Sequence, residues 1–373
     1  MAEPITQARL RALAAVHPEQ GRVLSVFLNL DPTEFATPAA RSSAVTSVLT
    51  AATHKVESND GLTHEERMAL YDDVERVRDV LLSDVASNGT RAVAVYACSE
   101  ADLLEIVRLR RPVENKVVVD RTAFVEPLVL HGVDEQWLVV ITNRRAARLF
   151  VGPGDALEET DRIVDEVHSQ HEKGGWSQAN YQRSVEKEVT DHLGHTAELA
   201  FSVYKKRGLD RVLIGAPDEL LTEFKGKLHP YLRERIVGRI AVDVENASLD
   251  DVCAAAKPLI LEHVRRCERE ALDRLVQGVG AGGRGAAGIE EVLDALNQAR
   301  VETLLIAENF RAAGRIDHDA GLLLPERAAQ GEPVDDIVEP AIEKAIEQNA
   351  NAMVVRHHDD LEPLGGIGAV LRF

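Results

Sequence analysis

Apolar residues along the chain fall into short runs, separated by longer segments in which they recur at helical spacing. That alternation predicts an α/β protein. "RVLSVFLNL", 22–30, is a mostly apolar run stopped by Asp31-Pro32, which predicts a strand. Helices are predicted near 35–57 and 63–85, the second opening at Thr63 with Glu65 and Glu66 in its first turn. "RAVAVYAC", 91–98, and "NKVVVD", 115–120, read as further strands. "QWLVVITN" and "AARLFVG", within 136–152, read as a hairpin turning at Asn143-Arg144-Arg145, followed by a strand near 157–166.

Beyond a glycine-bearing loop, Tyr181, Val185, Val189, Leu193, Thr196, Leu199 and Val203 recur at helical spacing. They predict a helix over roughly 178–207, about 40 Å long at 1.5 Å per residue. "RVLIGAP", 211–217, and "IVGRIAVDV", 236–244, read as strands. A helix near 248–277 follows, with Pro258 expected to kink or restart it. "GVGAGGRGAAG", 278–288, holds six glycines in eleven residues, too many for a stable helix or strand, and reads as a linker. A compact helix–strand–helix–strand unit ends the chain. The expected organisation is an N-terminal α/β domain over 1–131, a middle domain over 132–277, the linker, and a C-terminal α/β domain over 289–373.

Composition narrows what such a protein binds. The 373 residues are 45% apolar but only 4% aromatic, so aliphatic side chains must fill the cores. The net charge of −19 argues against sequence-independent binding to duplex DNA and against anionic membranes. Charge is uneven: 289–373 carries 17 acidic and 7 basic residues, so its surface suits a protein partner better than a polyanion. Three widely spaced cysteines give neither a disulfide framework nor a metal motif, which fits a reducing cytoplasm. The N-terminus reads as a short amphipathic helix without a signal peptide's apolar core, and no apolar run is long enough to span a membrane.

Candidate chemistry centres on "HEKGGWSQAN", 171–180. One of only two tryptophans follows a Gly-Gly pair where the long helix opens. An exposed indole stacks on an unpaired RNA base; a folded-back one covers apolar surface. Both readings fit the residues. The hairpin residues Arg144, Arg145 and Arg148 have no acidic residue around them from 136 to 153. They suit RNA phosphates and equally a solvated turn. Lys205, Lys206 and Arg207 complement the dipole at the end of the long helix. His168/His171 and His192/His195 have metal-ligand spacing without a nearby cysteine, and the second pair is expected at or near the surface. His357-His358-Asp359-Asp360 reads as a solvated loop. No metal, no cofactor and no Ser/His/Asp set is assigned. "GAGGRG" lacks the lysine of a phosphate loop.

In this order, the Gly-Gly tip and helix of "GGWSQANYQRSVEKEV", then "VETLLIAENF" and "LEPLGGIGAVLRF", resemble the archaeal and eukaryotic class-one release factor and Pelota superfamily. In particular they look like its bacterial release-factor-like branch, which includes the ribosome hibernation factor Balon and its actinobacterial relatives. The resemblance is strongest over 135–373. It implies a ribonuclease-H-like middle domain reaching the peptidyl-transferase centre, and a C-terminal domain with the fold of kink-turn-binding ribosomal proteins. It also implies the ribosome as partner, through 23S rRNA at the aminoacyl site, and elongation factor Tu as the GTPase met by the C-terminal domain. Contact residues carried over, or adjacent to those carried over, are His168, His171, Lys173, Gly174, Gly175, Trp176, Ser177, Gln178 and Arg183. Family release factors place a glutamine after the two glycines, and its backbone N–H stabilises the hydrolytic transition state. Here Trp176 stands at that place. The expectation is therefore a ribosome-occupying stress factor without catalytic residues. The alternatives are a peptidyl-tRNA hydrolase or rescue factor using Gln178, and an RNA nuclease. No codon-reading motif is found in 1–130.

Overall fold

A computed structural model describes residues 5–18, 21–83, 90–132, 135–154, 156–165, 177–281 and 283–373, with the backbone alone at 7, 177–182 and 281. The chain divides into two compact units. One comprises Met1–Val133 with Glu268–Phe373, the other Asp134–Cys267. The class is mixed α/β, as expected.

The first unit opens with α1 (Gln7–Ala14), β1 (Val23–Asn29), α2 (Pro38–Glu57), α3 (His64–Leu82), β2 (Ala92–Cys98), β3 (Leu103–Leu109), β4 (Lys116–Asp120) and α4 (Glu126–His131). The strands form an antiparallel sheet in the order β3-β2-β1-β4. Thr63 begins α3 through a reciprocal cap: its hydroxyl accepts from the Glu66 N–H at 3.2 Å, and the Glu66 carboxylate accepts from the Thr63 N–H at 2.8 Å. Strand β3 escapes the sequence pattern because Glu105 and Arg108 interrupt its apolar run. Both faces of this sheet are covered, which explains why β1 and β2 are apolar almost throughout. Leu24, Val26 and Leu28 pack under α2 and α3. Val23, Phe27, Tyr96 and Cys98 face the opposite way, onto α1 and α4.

The second unit holds β5 (Gln136–Thr142), β6 (Ala146–Pro153), β7 (Glu158–Val164), α5 (Ser177–Arg207), β8 (Arg211–Gly215), α6 (Asp218–Lys227), α7 (Pro230–Arg233), β9 (Ile236–Arg239) and the first part of α8 (Leu249–Ala281). Its sheet runs β7-β6-β5-β8-β9, with β5, β8 and β9 parallel and β6 and β7 antiparallel. One face buries Leu138, Val140, Val212 and Ile214 against Val189, Leu193, Ala200 and Val203 of α5. The other buries Val139, Ile141, Phe150 and Leu213 against Val252 and Ala256 of α8. Strand β9 ends earlier than the apolar run 236–244 implies. Asp243 Oδ1 accepts from the N–H groups of Glu245 and Asn246 at 2.9 and 3.1 Å, which turns the chain out of the sheet. Pro258 lies inside a single helix rather than starting a new one.

The first unit resumes with β10 (Gly285–Ala287), α9 (Ile289–Asn297), β11 (Val301–Ala307), β12 (Gly314–Asp317), β13 (Leu322–Pro325), β14 (Glu332–Val334), α10 (Val338–Glu347), β15 (Asn351–Val355) and β16 (Ile367–Leu371). A mixed sheet, β10-β16-β11-β15, is accompanied by the small sheet β13-β12-β14. The glycine-rich stretch 278–288 is not devoid of structure: it holds the end of α8 and all of β10. Its glycines serve close approach. A Cβ at Gly278 would stand 2.7 Å from the Arg284 backbone, and one at Gly285 would stand 2.6 Å from the Val279 nitrogen. The loop 357–360, expected to be solvated, is tied to α8. Buried Glu268 accepts from the His357 N–H at 2.9 Å and pairs with its imidazole at 2.9 Å, and Asp360 pairs with Arg269 at 2.6 Å. Within this unit one apolar cluster runs from Phe27, Tyr96 and Leu128 into Leu293, Leu296, Val338 and Ile342. The early and late segments thus share a core.

Carboxyls line that shared region. Burial, reinforced by the neighbouring carboxylates of Glu343, Asp120 and Glu126, pushes Glu339 up to about 8, against a smaller opposing pull from Lys116. Burial pushes Glu343 up to about 7, with Glu347 and Asp120 adding to it and a bond to Thr122 opposing it. Burial also raises Glu126, which Arg311 partly offsets. A carboxyl raised in the folded state contributes stability that is complete below its unfolded value and lost as pH rises through its folded value. Stability is therefore expected to fall between about pH 4.5 and pH 8, by at most about 1.4 kcal/mol per pH unit for each group, and to level off above that. Urea midpoints of wild type and of Glu339→Gln/Glu343→Gln across that range check this. The double variant should show the flatter profile.

Candidate functional site

The tip lies between the end of β7 and the start of α5. Of the residues carried over from the resemblance, His168, His171, Lys173, Gly174, Gly175 and Trp176 lie outside the described residues. Ser177 and Gln178 form the first turn of α5, and Arg183 is exposed two turns along it. The root of the tip is described in full. Helix α5 keeps its apolar stripe against the sheet from Val185 to Val203, burying Val185, Val189, Leu193, Ala197, Ala200 and Val203. From Val185 back to Ser177 the helix runs about 12 Å further at 1.5 Å per residue.

Three polar side chains close the root. His192 is 1% exposed, although it belongs to a pair expected at the surface. Its Nδ1 meets Asp165 Oδ2 at 2.6 Å and its Nε2 meets Thr142 Oγ1 at 3.2 Å. His195, one turn on, is exposed and stands 3.6 Å from the same Asp165 oxygen. Asp165 is the last described residue before the tip, so this set joins both ends of the tip segment to the β5–β6 hairpin. The pattern offered one clue: His192 sits beside Leu193 on the apolar stripe, where a solvated histidine does not belong. Thr–His–Asp is a set that elsewhere activates a nucleophile. Here Thr142 is fully buried, and the arrangement braces rather than reacts.

The hairpin cations divide. Asn143 makes the turn by accepting from the N–H groups of Arg145 and Ala146 at 2.9 and 2.7 Å. Arg144 is exposed, 3.9 Å from Glu219. Arg145 is exposed and clasps Glu245 with Nε at 3.1 Å and Nη2 at 2.7 Å, which holds the Glu245 carboxyl below its usual range. Arg148 points inward instead. It is buried, pairs with Glu159 at 2.5 Å and donates to the Ala247 carbonyl at 2.6 Å, so it is not presented to a phosphate. The bond to Arg148 holds Glu159 below the ordinary carboxylate range. The Asp165 N–H donates to the Arg145 carbonyl at 2.8 Å. The structure therefore brings Arg144 and Arg145 to the root of the tip and turns Arg148 away from it.

Among the described residues, no group of three or more His, Cys, Asp or Glu side chains is arranged to hold a metal, and no helix is long and apolar enough to cross a membrane. Replacing His192 by Ala leaves Asp165 and Thr142 without their partner and opens a buried space. A loss of about 2–3 kcal/mol is expected in urea unfolding. Asp165→Asn, which keeps the shape, should cost less than half of that.

Residues 124–259 match the model of bacterial archaeo-eukaryotic release factor family 10, and residues 266–373 match that of eRF1 domain 3. Peptide chain release factor subunit 1 of Archaeoglobus fulgidus is 27% identical over 220 residues, 57% of this chain and 54% of the relative. The Protein pelota homolog of Natronomonas pharaonis is 34% identical over 114 residues, 28% of this chain and 27% of the relative. The chain spans about half the length of the curated release factors it matches. Among solved structures, a model of ribosome-bound archaeal Pelota and ABCE1 aligns over 100% of this chain and 95% of that one, at 15% identity and a TM-score of 0.42. The two matched segments, 124–259 and 266–373, are thus each similar to proteins of the archaeal and eukaryotic class-one release factor and Pelota superfamily.

Proposed function

We propose that this protein is a ribosome-binding translation factor of the release-factor and Pelota type, which occupies the aminoacyl site and peptidyl-transferase centre during stress without hydrolysing peptidyl-tRNA. The observation that carries this reading is the sequence Gly174-Gly175-Trp176 at the head of a 31-residue helix, whose stem is packed on a sheet and braced at its root. Two glycines allow the backbone close approach to RNA. The indole that follows is too bulky for the geometry that admits water to an ester, yet well suited to stack on an unpaired base, an interaction worth roughly 1–3 kcal/mol. His168, His171, Lys173 and Arg183 flank it with groups that meet phosphates or base edges, and Arg144 and Arg145 extend the same role from the hairpin.

The domain assignment that goes with this reading keeps 1–131 as an N-terminal module, 132–277 as the tip-bearing middle domain, and 289–373 as the module that meets elongation factor Tu. The excess of acidic residues in 289–373 supports a protein-facing role there. Gln178 in the first turn of α5 keeps a hydrolase or rescue activity as the competing reading.

Co-sedimentation with purified ribosomes tests the proposal. Wild type should pellet with them, and Trp176→Ala should bind at least fivefold more weakly at matched salt. Equal binding of the two would overturn the role given to the tip. On ribosomes loaded with peptidyl-tRNA, no accelerated peptide release is expected. Fast release abolished by Gln178→Ala would establish the enzyme instead.

A further inference from the structure

A second surface of the middle unit, away in sequence from the tip, has the chemistry of a nucleic-acid contact. Near the end of α5, Phe201 and Tyr204 lie close to parallel, with centroids 6.0 Å apart and planes 13° apart. Phe201 also stacks on His229 at 3.8 Å and 10°, and His229 meets Tyr231 edge-on at 4.9 Å and 61°. Four rings from two elements, three near-parallel and Tyr231 tilted at 61° to His229, thus form one contiguous cluster in a chain that is only 4% aromatic. Tyr231 is 55% exposed, so the cluster does not end in a core. Lys205 Nζ stands 4.9 Å over Phe201, and the Arg235 guanidinium stands 5.3 Å over Tyr204. Arg235 also donates to the Tyr231 carbonyl at 2.9 Å, which steadies the turn that carries that ring.

Cations surround the cluster. Lys205, Lys206, Arg207, Lys227 and Arg233 are all exposed, and among the described residues none forms an ion pair. Several exposed arginines elsewhere in the chain have a carboxylate close by, as Arg145, Arg239 and Arg274 do. Glu234 is the one acidic residue within 225–235. A protein of net charge −19 that leaves this many cations unneutralised around stacked rings is complementary to a polyanion with exposed bases.

We propose that Tyr231 and the Phe201–His229 stack form a second RNA-contact surface, on which an unpaired base stacks on the exposed Tyr231 ring while Lys205, Lys206, Arg207 and Arg233 meet its flanking phosphates. The stacking supplies sequence-tolerant affinity, and the cations supply a salt-dependent term. The surface is separate from the tip, and its chemistry does not depend on hibernation being the protein's role.

Fluorescence anisotropy with a labelled twelve-nucleotide single-stranded RNA of mixed sequence tests it. All measurements are made on the full chain in a Trp176→Ala background, so that the tip does not contribute. The parent should bind. Tyr231→Ala should bind roughly 5- to 150-fold more weakly, and Tyr231→Phe should stay within about twofold of the parent, because the π-face is kept. Lys206→Gln/Arg207→Gln should lower the slope of log affinity against log salt by about 1.4, near 0.7 per cation. Because Lys206 and Arg207 are exposed at a helix end, this variant reads the surface even if a Tyr231 variant folds poorly. Absence of binding, unchanged affinity in a well-folded Tyr231→Ala, an unchanged salt slope, or tighter binding to a polyglutamate peptide than to the RNA would each overturn the proposal. The last outcome would assign the patch to an acidic protein. Because the tip is already disabled, failure here leaves the ribosome-occupancy reading standing, and success here does not establish it.

Discussion

The arrangement of the middle unit depends on one constraint, the burial of a single stripe of α5 on the β5–β6–β8 face of the sheet. A helix of 31 residues is stable in water mainly through tertiary packing. Its small and branched stripe residues, from Val189 through Leu193 to Ala200 and Val203, fit closely against Leu138, Val140 and Val212. That contact sets the rotation of the helix about its axis. Rotation then decides which side chains point away from the sheet. Asp165 and Thr142 complete the arrangement by satisfying both nitrogens of His192 inside the stripe, a polar link that punishes any slip of register.

At its far end the same helix supplies Phe201 and Tyr204. Both proposed contact surfaces therefore hang on one rigid rod and one packing decision. The parallel pairing of β5 with β8 supports it from below, because Trp137 to Ile141 align with Arg211 to Gly215 without interruption. Change in the stripe would move both ends of α5 together, whereas change in the exposed cations would leave the helix where it is.

Much of this was legible in the residues alone. The α5 stripe, the strands of 22–30, 91–98 and 211–215, and the cap at Thr63 follow from periodicity and helix-start chemistry, which are local. The misreadings share a cause: they depend on what lies across the fold. Arg148 looks like an exposed hairpin cation until Glu159 and the Ala247 carbonyl appear beside it. His192 has the spacing of a ligand pair, but burial gives it a bracing role. The glycines of 278–288 read as slack, yet Gly278 and Gly285 are there to let two backbones touch. The ring cluster was invisible for the same reason, since 28 residues separate Phe201 from His229. The family likeness was legible because motif order survives where individual contacts do not.

The first unit is built from the two ends of the chain, with the second unit inserted between them. Phe27 and Tyr96 have their final neighbours in Leu293, Val338 and Ile342, which are translated much later. At synthesis rates of roughly 5–20 residues per second, this side of the β1–β2 sheet has only α1 and α4 on it for on the order of 10–50 s before the rest of its cover exists. The nascent chain thus spends that interval as a sticky half-domain, during which the middle unit is free to fold first. The first unit can therefore close only after α9 and α10 exist, long after its opening sheet has been made.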